Sequence, residues 1–411
     1  MNNQSIHESN QWNKFMMYLM GRNIIRVAYF IFNIFFVWRT IVAYNSVFLA
    51  GLIPAFSLLG YLIIVIPEGH ILDRHNRGTV FRITSFLLAF TYLILVYSDS
   101  LAIVYAVALV SSILSSVNSD AFNTILKETV KEEKIQHAVS LSQGTNAISE
   151  LTGIIAGGIL LYLPFEFLAI TLFSLPVISI IFGLSRTLNR SGMVDKYGFR
   201  GAYRIILVLV PFLMLSLLLN GLFISLDVFG SGLIHIILHG SPFDYSLFVA
   251  AFPVGLIIGS LFTGKLSSII SRTGTISILL VPLGIVLLLI AISRIIYVDI
   301  ALGILLGIIV ILVNIGLQTI FMKAIPDGVM GRVNSLATIF SIGGSPVMAA
   351  AFSILSNYFY FPYIMAAAGI GAVAVSLPAF SILKNLPEKV AGISRIIEKE
   401  GEAGISEQAS G

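Results

Sequence analysis

The sequence contains no cysteine among its 411 residues. That absence excludes a disulfide framework, thiolate chemistry, an iron–sulfur cluster and a cysteine-ligated zinc site. Charge is nearly as scarce: charged residues make up 11% of the chain, against about 25% in an ordinary soluble domain. Hydrophobic residues make up 57%, and the mean hydropathy is +0.97. One soluble core cannot absorb that excess, because cores stop growing near ~300 residues and still leave apolar surface exposed. Disorder is excluded by the same composition. Long uncharged apolar runs are what the chain has in abundance, and their natural solvent is lipid.

A bilayer core about 30 Å thick needs about 20 apolar residues per helix. Such runs fall near 17–40, 46–66, 79–97, 101–126, 138–162, 165–185, 204–230, 245–268, 275–294, 298–322, 333–357 and 361–383. They are too long and continuous for the alternating strands of a membrane barrel. The predicted fold is therefore an all-α membrane protein with twelve transmembrane helices. With both termini inside, the inner loops and inner helix ends carry all of the 24 Lys and Arg residues except Arg39 and Arg294. Cytoplasmic loops carry such an excess, so an N-in/C-in orientation is predicted. The net charge of +4 then needs no nucleic acid to explain it. No cleavable signal is expected, because the first apolar run is long and another follows it. The basic stretch 186–203 is read as a cytoplasmic linker between six-helix bundles at 17–185 and 204–383. Residues 1–16 and 384–411 are read as cytoplasmic tails.

The two halves share landmarks at an offset of 195 residues. Gly69 falls on Gly264, Arg77 on Arg272, and Ser140-Leu141 on Ser335-Leu336. All lie in short inner loops. Two bundles related by a pseudo-two-fold axis along the membrane normal give such an offset, and such a pair can rock about a midplane site.

Between the second and third runs the chain reads Pro67-Glu68-Gly69-His70-Ile71-Leu72-Asp73-Arg74-His75-Asn76-Arg77-Gly78. Gly69, Asp73, Arg74 and Arg77 in this order resemble the G-x-L-x-D-R-x-x-R signature of the major facilitator superfamily, with Ile71 in place of the usual Leu. Gly264-Lys265-Leu266 with Arg272 is a weaker echo that lacks the aspartate. The 325–335 loop resembles that of the macrolide-efflux and siderophore-exporter branch. The resemblance covers about 17–383. It implies a conformational latch between the bundles, made by Gly69, Asp73, Arg74, Arg77 and Asp120. Asp73 would face the start of helix 11, where the helix dipole stabilises a carboxylate by ~0.3–1 kcal/mol. Arg77 would reach Asp120 on helix 4, and Gly69 would allow a tight turn. A bland alternative leaves these residues serving topology alone. Gly144, Gly153 and Gly157 on helix 5 resemble the glycine motif of drug:proton antiporters, although Gly158 and Leu161-Tyr162 depart from it. Plain packing of these glycines against helix 8 is the alternative.

An ionisable side chain at the membrane centre costs ~2.5–3.5 kcal/mol on insertion scales, so each one asks for a partner or a purpose. Arg22 and Arg26 lie one turn apart on helix 1. Arg22 is expected to snorkel to the inner surface. Arg26 is expected to pair with Asp120 or Glu150, to hold an anionic substrate, or to tune a carboxylate. Glu150 and Asp227 are the candidates for proton coupling or substrate contact, with an outer gate to Arg39 as the other role for Asp227. Asn33, Asn118, Asn220, Asn314 and Gln318 are expected to line the cavity, because the resemblance places helices 1, 4, 7 and 10 there. Tyr29, Phe30, Phe32 and Phe36 crowd helix 1. Many aromatics with few fixed charges suit a hydrophobic or amphipathic ligand.

Two other signals are set aside. Gly259 to Lys265 approximates a phosphate-binding loop, but Leu266 stands where Ser or Thr is needed and no strand precedes it. His235 and His239 have metal-ligand spacing, yet only Asp244 could join them, so a surface pair is expected. No cofactor, metal or nucleophile–base pattern points to an enzyme. The expected function is secondary active transport by alternating access: proton-coupled (or other ion-coupled) efflux of a small hydrophobic or amphipathic compound by a monomer in the plasma membrane. The alternatives are an uptake permease for a small metabolite and a transport-inactive membrane receptor or scaffold.

Overall fold

The computed structural model describes the backbone of residues 3–97, 100–130, 132–184, 199–270, 273–324 and 330–409. Side chains at 1–10, 66, 70, 73, 98–99, 131–133, 135–136, 140, 185–206, 208, 263–273, 318–342 and 386–411 lie outside the description. The described chain forms α1 (Asn3–Tyr44), α2 (Val47–Arg74), α3 (Arg77–Tyr97), α4 (Leu101–Thr129), α5 (Glu132–Leu160) and α6 (Phe165–Phe182). It continues with α7 (Phe199–Gly232), α8 (Pro242–Ile270), α9 (Thr273–Ile292), α10 (Ile296–Ala324), α11 (Met330–Leu355) and α12 (Phe361–Ala409). Among the described residues, 10 helices are long and apolar enough to cross a membrane. α5 falls outside that set because it opens on Glu132, Glu133 and Lys134 and carries Gln143, Asn146 and Glu150. In α11 the apolar stretch among described residues is Gly343–Leu355.

The 195-residue offset holds for whole helices. Shifting α4 lands on 296–324, the bounds of α10, and shifting α2 lands within one residue of α8 at each end. α12 runs on through 384–409, so the residues expected as a tail are helical; Glu, Lys and Ala there are good helix formers.

Local chemistry sets the breaks. Asn45 takes a left-handed φ of 48°, which Asn tolerates better than most residues. Ser46 then caps α2, its hydroxyl accepting from the Leu49 amide at 3.3 Å. At the next turn Asn76 caps α3 by accepting from the Thr79 amide at 3.2 Å. Gly69 does not make that turn. It sits inside α2, which ends at Arg74, and no described glycine has a positive φ. The capping done by His75 and Asn76 makes a turning glycine unnecessary. α7 widens into a π-turn at Leu233–Ile237, closed by the Leu238 amide donating to the Leu233 carbonyl at 3.0 Å. Ser241 and Asp244 form a reciprocal capping box at the start of α8. That role accounts for Asp244, the third group near His235 and His239.

α1 packs on α2, α4, α5 and α6, and α3 packs on α4 and α6. Beyond the 185–198 stretch, α7 packs on α11 and α12, α8 on α10, and α9 on α10 and α12. The two sets meet chiefly through α2 with α11 and α7, and through α5 with α8. Gly153 and Gly157 bring α5 against α1, not α8: a Cβ at Gly153 would lie 2.8 Å from the Val27 carbonyl oxygen, and one at Gly157 3.2 Å from the Ile31 Cα. Gly158, which departs from the antiporter pattern, is the residue that abuts Ser246 of α8. Gly144 faces open space.

Candidate functional site

A cavity of about 240 Å³ opens between α1, α2 and α4. α1 contributes Arg22, Ile25, Arg26 and Tyr29; α2 contributes Ser57, Leu58 and Tyr61. α4 contributes Ser112, Ser115, Ser116 and Ser119. These serines are spaced three, one and three apart, which is one helical face. The expected lining differs. Asn118 is buried and turned to α3, where its amide donates to the Phe81 carbonyl and the Thr84 hydroxyl at 3.0 Å each and to the Ser85 hydroxyl at 3.2 Å. It sits about 100° round the helix from Ser119, enough to leave the cavity face. Asn33 donates to its own helix at the Tyr29 carbonyl, 2.9 Å away. Asn220 and Asn314 are exposed, and the side chain of Gln318 lies outside the described residues. Phe32 and Phe36 are buried core residues, with Phe32 against Tyr92 at 5.7 Å between ring centroids.

The charges gather beside this cavity. Arg26 and Glu150 form an ion pair at 3.0 Å, with 37% and 20% of their side chains exposed. Asp227 is exposed too, within electrostatic range of Glu150, Tyr29 and Tyr245. Arg22 does not snorkel. It is 6% exposed and donates to the Asn146 side-chain oxygen, to the Ser142 carbonyl at 3.3 Å and to the Asn23 side-chain oxygen at 3.4 Å. Its guanidinium lies 4.3 Å from the Phe122 ring centre. Acceptors on α5 replace the water that snorkelling would have found. Arg39 lies over Phe165 at 4.8 Å.

The two ends of the molecule differ. Where α1 and α7 finish, Trp38 stacks on Tyr245 at 5.3 Å and 24°, and meets His235 edge-on at 5.3 Å. Nearby, the Phe243 amide donates to the Tyr162 hydroxyl at 3.4 Å. This end is closed across the two helix sets. At the opposite end a Cβ on Gly69 or Gly144 would meet nothing within 4 Å. Arg77 does reach α4 there, but its partner is Glu128 at 3.5 Å, with each side chain 11% exposed. Glu128 lies two turns beyond Asp120, level with the start of α3. Arg74 is exposed, and the side chain of Asp73 lies outside the described residues.

Asp120 is engaged otherwise. It accepts from the Asn123 amide at 3.1 Å and lies within electrostatic range of Glu68. Glu68 went unnoticed in the sequence. It is 3% exposed, lies beyond the apolar span Val47–Val65, and accepts from the Ser116 hydroxyl at 2.8 Å. Burial, reinforced by the Asp120 carboxylate, pushes its carboxyl up from 4.5 to about 8. The available signals were a carboxylate ending an apolar run and the spacing of the α4 serines.

Long apolar helices in two offset-related sets, a cavity lined by arginines, tyrosines and serines, and one sealed end define a membrane transporter fold, not an enzyme. Residues 18–347 match the family model described as Major Facilitator Superfamily, and the chain belongs to that family. Solved structures agree on the fold. The nucleoside transporter NupG is similar at 11% identity and a TM-score of 0.71, covering 90% of this chain and 99% of that one. A bacterial homologue of the human lysosomal transporter Spinster, inward-facing and unoccupied, gives 13% and 0.67 over 94% and 98%. The human organic anion transporter MFSD10 (TETRAN) gives 18% and 0.63 over 91% and 99%. No curated protein sequence matches the chain.

Proposed function

We propose that the protein is a secondary transporter that works by alternating access, is driven by proton movement, and exports a small amphipathic compound. Its twelve helices act as bundles 17–185 and 204–383, joined by the linker 186–203, with tails 1–16 and 384–411. The basic face is cytoplasmic and the membrane is the plasma membrane. The observation that carries the reading is the Arg26–Glu150 ion pair, open to the cavity and within electrostatic range of Asp227. A proton arriving at Glu150 cancels one partner's charge and frees Arg26; its loss restores the pair. Asp227, across the divide between the helix sets, senses that change through the charge on Glu150. At the cytoplasmic end Gly69, Asp73, Arg74 and Arg77, with Glu128 and Asp120 on α4, form a conformational latch. Export follows from the likeness of the 325–335 loop to exporters. A second reading, a permease for a small polar metabolite, draws support from the serine face of the cavity.

Inside-out vesicles loaded with a pH-sensitive dye test the coupling. Protons should leave the vesicles when a transported compound is added, and Glu150→Gln and Asp227→Asn should each abolish the signal. Transport indifferent to the proton gradient, or unaffected by both substitutions, would refute the coupling. Uptake driven in right-side-out vesicles would favour the permease.

A further inference from the structure

We infer that the cavity takes an organic oxyanion, its acid group seated on Arg22 and its body lying along the serine face of α4. The inference deepens the transport reading by naming the class of cargo at the same cavity.

Charge balance comes first. Arg22 and Arg26 project one turn apart into one small cavity. Arg26 has a carboxylate, Glu150. Among the described residues Arg22 has none: its partners are two side-chain amide oxygens, a backbone carbonyl and an aromatic ring. Its Nε is buried without an acceptor, and the charge that acts on it is the like charge of Arg26. A guanidinium 6% exposed and uncompensated is costly in a low-dielectric wall, and neutral acceptors recover only part of that cost. A bound anion supplies the missing charge, and a guanidinium fork matches carboxylate, sulfonate and phosphate alike.

The opposite wall fits the remainder of such a molecule. Ser112, Ser115, Ser116 and Ser119 line one face; Ser112 and Ser116 donate to the Ser57 carbonyl and to Glu68, while the Ser115 hydroxyl is buried with no partner among the described residues. Ile25, Leu58 and the rings of Tyr29 and Tyr61 add apolar surface. The volume of about 240 Å³ equals roughly eight waters at ~30 Å³ each. It lies below the ~300–1,000 Å³ of drug-sized sites. The cargo is therefore small, acidic and amphipathic.

The test uses the full-length protein in dodecyl maltoside with no gradient, so it succeeds or fails independently of proton coupling. Titration calorimetry compares matched acid and neutral probes: benzoate with benzamide, 4-hydroxyphenylacetate with its amide, and glycerol 3-phosphate with glycerol. The acid should bind at least about tenfold tighter in one or more pairs. Arg22→Gln should remove that preference and Arg22→Lys retain part of it. The wild-type comparison stands even if Arg22→Gln fails to fold. No acid preferred in any pair overturns the inference, as does a folded Arg22→Gln protein that still discriminates. Stabilisation by phosphatidylglycerol alone, with no soluble acid preferred, also overturns it and assigns Arg22 to a lipid headgroup.

Discussion

Trp38 offers the sharpest test of how the closed end is held. It touches Tyr245 and His235 across the two helix sets, and both contacts break when that end opens. An aromatic pair contributes about 0.5–1.5 kcal/mol beyond its buried area. Losing two such pairs removes about 1–3 kcal/mol from the closed form. At 1.4 kcal/mol per tenfold, the closed-to-open ratio falls between about five- and hundredfold in Trp38→Ala. The chain has no cysteine, so spin labels can be placed without background. Tyr97, which ends α3, and Tyr297, in the first turn of α10, are 84% and 77% exposed and lie on different helix sets. Labels at Tyr97→Cys and Tyr297→Cys, read by pulsed electron paramagnetic resonance, should give one distance population in the parent. Trp38→Ala should add a longer one, and Trp38→Phe an intermediate amount. A folded, monodisperse Trp38→Ala protein whose distances superimpose on the parent's would refute the aromatic seal.

Glu68 makes the pH dependence predictable in sign. Its carboxyl is raised from 4.5 to about 8, so the folded state holds the proton more tightly than the unfolded chain does. The stability it contributes is complete below about 4.5 and is lost as pH rises through about 8. Thermal unfolding followed across that window should show the decline, and Glu68→Gln should flatten it; an unchanged slope would remove Glu68 as its source. At the α1–α5 crossing, Gly157→Leu should cost about 1–3 kcal/mol by overpacking against Ile31 and Ile34. The thermal midpoint should fall well below that of Gly144→Leu, a control with open space around it; equal midpoints would contradict the close crossing.

Much of the architecture was legible before any coordinates. A one-dimensional pattern records where apolar runs stop, so helix order and the 195-residue offset emerged directly. Arg26 is readable as a charge that asks for a carboxylate at membrane depth, but the sequence does not choose between Asp120 and Glu150; the structure pairs it with Glu150. Direction round a helix was harder to read. Asn118 looked like a cavity residue on a cavity helix, but a single asparagine does not reveal which neighbour receives its amide. Arg22 looked free to snorkel because Asn146 and Ser142 lie more than a hundred residues away in the chain. The serine face of α4 stayed hidden because small hydroxyl residues contrast weakly with an apolar background. Glu68 directly precedes the family signature, and nothing in the linear sequence ties it to Ser116, 48 residues on.

The two ends of the molecule are built from opposite chemistries, and they answer to different solution conditions. The Trp38–Tyr245 stack is made by uncharged rings, so ionic strength has little hold on it. Arg77 with Glu128 is an ion pair that salt or a proton weakens, whereas Glu68 beside Asp120 sets two carboxylates together, an arrangement that a proton steadies. Salt and pH on the basic side therefore act on how α2, α3 and α4 hold together within one helix set, while the far side answers chiefly to packing and temperature, with His235 as a titratable partner of Trp38. The protein is in this sense polarised: charge dominates the contacts at one end, and aromatic packing those at the other.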